Sequence, residues 1–210
     1  MVADALDTSR TEAVLHLVKQ RRSTRHFRED PVPHRLLLEM LEAVQWAPSP
    51  HNSQPWRFTI LSASEDKMRL ATAMGERLRV ELAEDGVPTE EIRRQSSRSR
   101  ERIARSPIVL LCSLQADGLA RYSDQRRNEL EWQMAVQSVG AALQTLFLVA
   151  QGHGIGTCWM AAPMYCGETV RQVLNLPQDY EPQALVLMGY KARPGKVRQR
   201  RDLAAIVDFR

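Results

Sequence analysis

Two short segments gather side chains able to hold a charged heteroaromatic ligand. Residues 21–25 read Arg21-Arg22-Ser23-Thr24-Arg25. Cationic forks beside hydroxyls are the groups that bind a phosphate and a polyhydroxyl chain. Taken alone, the same run also fits a solvated basic helix end, which the helix dipole favours. The second segment is Pro48-Ser49-Pro50-His51-Asn52-Ser53-Gln54-Pro55-Trp56. Its prolines stiffen the loop, and the Asn52 and Gln54 amides can donate to and accept from a ring edge. As structure only, it is a rigid connection from a helix to a strand. A third basic stretch, Arg198-Gln199-Arg200-Arg201, reads by itself as an exposed tail.

The elements that must position these segments follow from apolar periodicity. Ala13, Val14, Leu17 and Val18 predict a helix over 9–21 that ends at the first basic run. Leu36, Leu37, Met40, Leu41 and Val44 predict a second helix, stopped by Pro48 and Pro50. Phe58, Ile60 and Leu61 mark a strand over Arg57–Ser62, and Ile108 to Leu114 form the clearest buried strand. Between them, residues 65–105 are highly charged and read as two surface helices broken at Gly86-Val87-Pro88. A long helix is expected over 126–152, apolar on more than one face and therefore buried on several sides or in a subunit interface. A strand at Thr157–Met160, a short helix near 166–174 and a strand at Ala184–Tyr190 complete an α+β single domain over 1–210.

Composition narrows the classes of function. The 210 residues are 43% hydrophobic and 26% charged, with a net charge of only +4, so the chain suits one globular domain with a substantial core. Its basic residues cluster at 21–28, 93–105 and 193–201, which favours an anionic ligand over a general nucleic-acid surface. The arginines of 93–105 lack interleaved aromatic residues, so no base-stacking platform is expected. Cys112, Cys158 and Cys166 are odd in number and lack CxxC spacing, which argues against a disulfide framework and a metal site and fits a cytoplasmic protein. The N-terminus is acidic without a hydrophobic signal core, and no apolar run approaches ~18 residues, so neither export nor a membrane span is expected. Gly152-His153-Gly154-Ile155-Gly156 lacks the strand-before, helix-after setting of a dinucleotide fingerprint, and His153 reads as a loop histidine.

Taken together, Arg21-Arg22-Ser23-Thr24-Arg25 and the pattern Pro-Ser-x-x-Asn-x-Gln-Pro-Trp resemble the nitroreductase family of flavin (FMN) enzymes. The resemblance implies a mixed sheet flanked by helices in an interlocked homodimer, with the long helix supplying much of the interface. It also implies that Arg21, Arg25, Ser23 and Thr24 serve the flavin phosphate, ribityl chain or ring, with Arg22 contributing main chain. Pro48, Ser49 and Pro50 would reach the flavin of the opposite subunit, braced by Asn52 and Gln54, while Trp56 belongs to the core. Trp159, Met160 and Ala161 would face the ring, with an amide near its hydride-accepting nitrogen, and Arg198 and Arg200 would close around the phosphate.

On this resemblance no side chain is a catalyst in its own right; the reaction belongs to the flavin. NADPH or NADH would donate hydride, and an electron-poor nitroaromatic, quinone or enone would accept it. Within the family the chain is most similar to the reductase domain of the deazaflavin coenzyme F-420 biosynthesis enzyme. That similarity rests on Glu81 to Gly86, Val139 to Ala142 and Gly156 to Trp159 in addition to the basic run and the loop. It implies, as the alternative, reduction of a dehydro precursor of that coenzyme. The 65–105 excursion would then be a partial lid over the flavin, its arginines meeting an anionic substrate or a nicotinamide phosphate.

Overall fold

The computed structural model describes residues 8–210. The acidic stretch on which the export argument rests, residues 1–7, lies outside the described residues. Helix α1 (Thr8–Gln20) exposes Val14, Leu15 and Val18. Helix α2 (His34–Val44) buries Leu37, Met40 and Val44, one side of its three-to-four residue period, and ends before Pro48 as expected.

Strands β1 (Trp56–Leu61), β2 (Ile108–Gln115), β3 (Ile155–Met160) and β4 (Tyr180–Tyr190) form one sheet in the order β1-β2-β4-β3. Every ladder between them is antiparallel, and the parallel component of the expected mixed sheet is the single bridge between Ser23 and Thr157. Side chains alternate across the sheet. Leu110, Cys112, Ala184, Val186 and Met188 join one core with α2 and the long helix α5 (Gln125–Gly152). Val109, Leu111, Leu185 and Leu187 join another with α3 (Ser64–Glu84), α4 (Thr89–Ala104) and α6 (Gly167–Leu174). Both faces are covered, which is why β2 and β4 read as unbroken apolar runs.

The break between α3 and α4 falls at Gly86, with φ of 72°, a value that glycine adopts without steric cost. The two helices are more than surface elements, because Leu70 and Ile103 are fully buried against the sheet. Their outer faces carry the charge, with ion pairs such as Arg77–Glu81 at 2.8 Å and Arg93–Glu90 at 2.9 Å. Asp124 caps α5 by accepting from the Arg127 backbone N–H at 2.9 Å. Its 28 residues are long and apolar enough to cross a membrane by length and composition, yet Val139, Leu143 and Leu146 lie in the core. Leu130 and Trp132 on the same helix remain exposed.

Candidate flavin site

Two glycines allow the basic segments to meet. The Thr24 N–H donates to the Thr157 carbonyl at 2.8 Å, fastening the first basic run to the edge strand β3. A Cβ on the neighbouring Gly156 would sit 2.7 Å from the Thr24 Cβ, so only glycine permits this approach. Beyond β4 the chain returns along the same segment. The Arg28 N–H donates to Tyr190 at 2.8 Å, and the Ala192 N–H to His26 at 3.0 Å. Gly195 then presses on Arg22, where a Cβ would come within 2.5 Å of the Arg22 Cβ. The first and last basic clusters, 170 residues apart in the chain, thus become neighbours.

Between them lies a cleft of about 700 Å³. Ser23, Thr24, Arg25, His26, Arg193, Lys196 and Arg198 line it, joined by Arg98 and Arg102 from α4, and no carboxylate among the described residues does. An adjoining cavity of about 490 Å³ shares Arg25, His26, Arg98, Arg102 and Arg193 and adds Glu101 and Arg105, which pair with each other at 2.9 Å. So many cations without counter-charge repel one another. Partial burial and then Arg98 and Arg25 lower the Arg102 pKa, and His26 is held below its usual range by desolvation and by Arg193, Arg102, Arg25 and Arg98. His26 Nε2 accepts from Arg193, which requires the neutral ring. Beneath the cleft, burial raises the Cys158 thiol, opposed by Arg25, Arg102 and Arg21.

A phosphate-bearing cofactor fits this donor set. The arginines supply charge-assisted hydrogen bonds. Ser23 stands among them half-buried, and the buried Thr24 hydroxyl has no partner among the described residues. The end of β3 lies on the same edge, with Trp159 and Ala161 exposed, Met160 half-buried, and Trp159 meeting Phe147 edge-on at 6.0 Å between ring centroids. Strand alternation turns the Trp159 main-chain N–H to the same outer edge as the Thr157 carbonyl.

The predicted residues therefore divide. Ser23, Thr24, Arg25 and Arg198 line the cleft, and Arg21 lies close enough to act on Cys158. The Arg22 guanidinium turns back to the end of α1, its Nη1 donating to the Lys19 and Arg21 carbonyls. Arg200 is exposed and does not line the cleft.

The loop of Pro48, Ser49, Pro50, Asn52 and Gln54 does not line this cleft. It is nonetheless rigidly built. The Gln54 N–H donates to Ser49 Oγ at 3.0 Å, and Gln54 Nε2 donates to Asn52 Oδ1 at 3.1 Å. His51, Asn52 and Gln54 all have positive φ, a strained arrangement that clusters at ligand clamps. Trp56 is in the core as expected. His26, Arg193, Gly195 and Lys196 were not singled out from sequence; the turn signal Pro194-Gly195 flanked by cations was the clue available.

Comparison with known proteins gives the family and the fold. Residues 18–190 match the nitroreductase family. A Thermus thermophilus NADH dehydrogenase is 30% identical over 91% of this chain and 93% of its own length. A 5,6-dimethylbenzimidazole synthase of Rhodospirillum rubrum is 29% identical over 88% of this chain and 84% of its own. The FMN-dependent nitroreductase NfnB from Mycobacterium smegmatis, solved in complex with NADPH, superposes with a TM-score of 0.72 at 22% identity, covering 95% and 99% of the two chains. With residues 18–190 of its 210 matched and its basic clusters joined on one strand edge, the chain belongs to the nitroreductase family.

Proposed function

We propose that the protein is an FMN-dependent oxidoreductase that passes electrons from NADPH or NADH to an electron-poor small molecule such as a nitroaromatic, quinone or enone. The observation that carries this reading is the meeting of Arg25 and Arg198 on one cation-lined cleft beside the β3 edge. Bound FMN would supply two-electron transfer there. Arg21, Ser23 and Arg198 hold its phosphate, and Arg25 and the main chain of Trp159 to Ala161 meet the ring. An N–H at that edge favours the negative charge of the reduced ring without an ionisable catalyst.

The active unit in this reading is a homodimer, and exposed apolar side chains support it. Val14 and Val18 on α1 and Leu130 and Trp132 on α5 lie open in the protomer, an arrangement that marks contact surfaces. The braced 48–54 loop then serves the partner's cleft, and the 65–105 excursion forms a partial lid whose helix α4 presents Arg98 and Arg102 to the cleft. Reduction of a dehydro deazaflavin precursor of coenzyme F-420 is the second reading, since the same cofactor site would serve it.

The test is purification and reconstitution with FMN. Wild-type protein should carry stoichiometric flavin that NADPH or NADH bleaches without oxygen. Arg21→Ala with Arg198→Ala should give folded, colourless protein, and full flavin occupancy in that variant would overturn the phosphate assignment. Turnover with quinones, nitroaromatics and the deazaflavin precursor separates the two readings.

A further inference from the structure

The arginines of helix α4 and its C-terminal cap differ in their surroundings. Arg93, Arg94 and the cap residue Arg105 are each paired with a helix glutamate, respectively Glu90, Glu91 and Glu101, and Arg100 faces a groove against α3 that Glu76 also lines. Arg98 and Arg102, one turn apart and therefore on one face, have no carboxylate partner among the described residues and turn into the cleft. The nearest acid in the adjoining cavity, Glu101, is already engaged by Arg105. Arg102 is half-buried, so solvent only partly offsets the lack of counter-charge.

The cofactor phosphate does not account for this pair. Arg21 and Ser23 from the first basic segment and Arg198 from the last already match a dianion, and both segments are tied together by main-chain bonds and close glycine contacts independent of α4. Arg98 and Arg102 arrive from a separate helix, on the wall next to Arg25, which the reading above sets at the ring. Resting on that reading, we propose that Arg98 and Arg102 form a second anion subsite, which binds a carboxylate, sulfonate or phosphate carried by the electron acceptor or by the nicotinamide donor. The protein thus favours the member of each substrate pair that carries the additional anionic group.

The experiment compares FMN-loaded wild type with Arg98→Gln/Arg102→Gln, using Arg94→Gln on the outer face as control. Two matched pairs distinguish the sources: 4-nitrobenzoate against 4-nitrobenzyl alcohol, and NADPH against NADH. Calorimetric affinity of the oxidised protein for 4-nitrobenzoate and for NADP+, which carries the same phosphate but no hydride, gives a readout besides turnover. If the acceptor is the anion, the double variant should bind 4-nitrobenzoate ~10–100-fold more weakly. The kcat/KM ratio of 4-nitrobenzoate to the alcohol should fall by a similar factor. If the donor phosphate is the anion, the NADPH to NADH ratio and NADP+ affinity should fall instead. Arg94→Gln should move neither ratio.

Both ratios within twofold of wild type would overturn the proposal. So would loss of flavin from the double variant with Arg94→Gln still loaded, because the pair would then belong to the cofactor phosphate. Wild-type protein that takes up no flavin would instead remove the underlying reading. Arg98→Gln alone, at an exposed side chain, carries the same comparison if the double variant melts early.

Discussion

Replacing Gly195 by alanine would place a methyl carbon 2.5 Å from the Arg22 Cβ and 3.3 Å from the Ser23 carbonyl oxygen. Ordinary contact between carbons is about 3.5–4.0 Å, so the tail must retreat by roughly 1 Å or more. Arg22 cannot yield, because its Cβ is fixed to a backbone held by the Thr24–Thr157 bond. Residues 196–200 are exposed, so the strain is relieved by moving the tail away from the first basic run. Overpacking of this kind costs about 1–3 kcal/mol, equivalent to roughly 5- to 150-fold in affinity. The loss should appear in cofactor binding, with the FMN Kd from fluorescence quenching rising by that factor. The thermal midpoint of the flavin-free protein should move by less than about 3 °C. An FMN Kd for Gly195→Ala within twofold of wild type would refute the claim that this contact seats Arg198 on the phosphate.

Two further measurements probe the electrostatics. In the flavin-free protein the His26 ring should titrate below its ordinary value of about 6.5, and loading with FMN should move it upward, as followed by proton NMR. Because its folded pKa is depressed, the unfolded chain takes up the proton first. His26 therefore contributes stability above pH ~6.5 that is lost as pH falls through the folded value, so acid should lower the wild-type melting temperature more than that of His26→Gln. Lys67 is buried, with its ammonium lowered in pKa by desolvation, and donates to the carbonyls of Ser106 at 2.8 Å and Pro107 at 3.2 Å. Lys67→Met should cost about 1–3 kcal/mol in urea unfolding by leaving those acceptors unmet, while flavin content stays stoichiometric.

Most elements of the fold were legible because their signals are local. The run Ile108 to Leu114 could only be a covered strand, and α2 shows its buried face in the spacing of Leu37, Met40 and Val44. The role of α3 and α4 was less legible. Their few apolar positions, such as Leu70 and Ile103, are outnumbered by charges on the outer face, so the core contribution disappears into a polar average. Arg200 and Arg198 have equal standing from spacing alone; the backbone path after Gly195 brings Arg198, and not Arg200, to the cleft.

The available chemistry was already written along the chain: guanidinium and hydroxyl groups suited to a phosphate, and a stiff amide-bearing loop suited to a ring edge. Those properties belong to residue types and short spacings. Which cations share a space is settled by folding, because it depends on the absence of a Cβ at Gly156 and Gly195 and on antiparallel pairing that returns β4 to the first basic run. Folding also singled out Arg98 and Arg102 from the other arginines of α4. Helical phase against the packed face, and the reach of Glu90, Glu91 and Glu101, decide which charges are neutralised locally and which are left for a ligand.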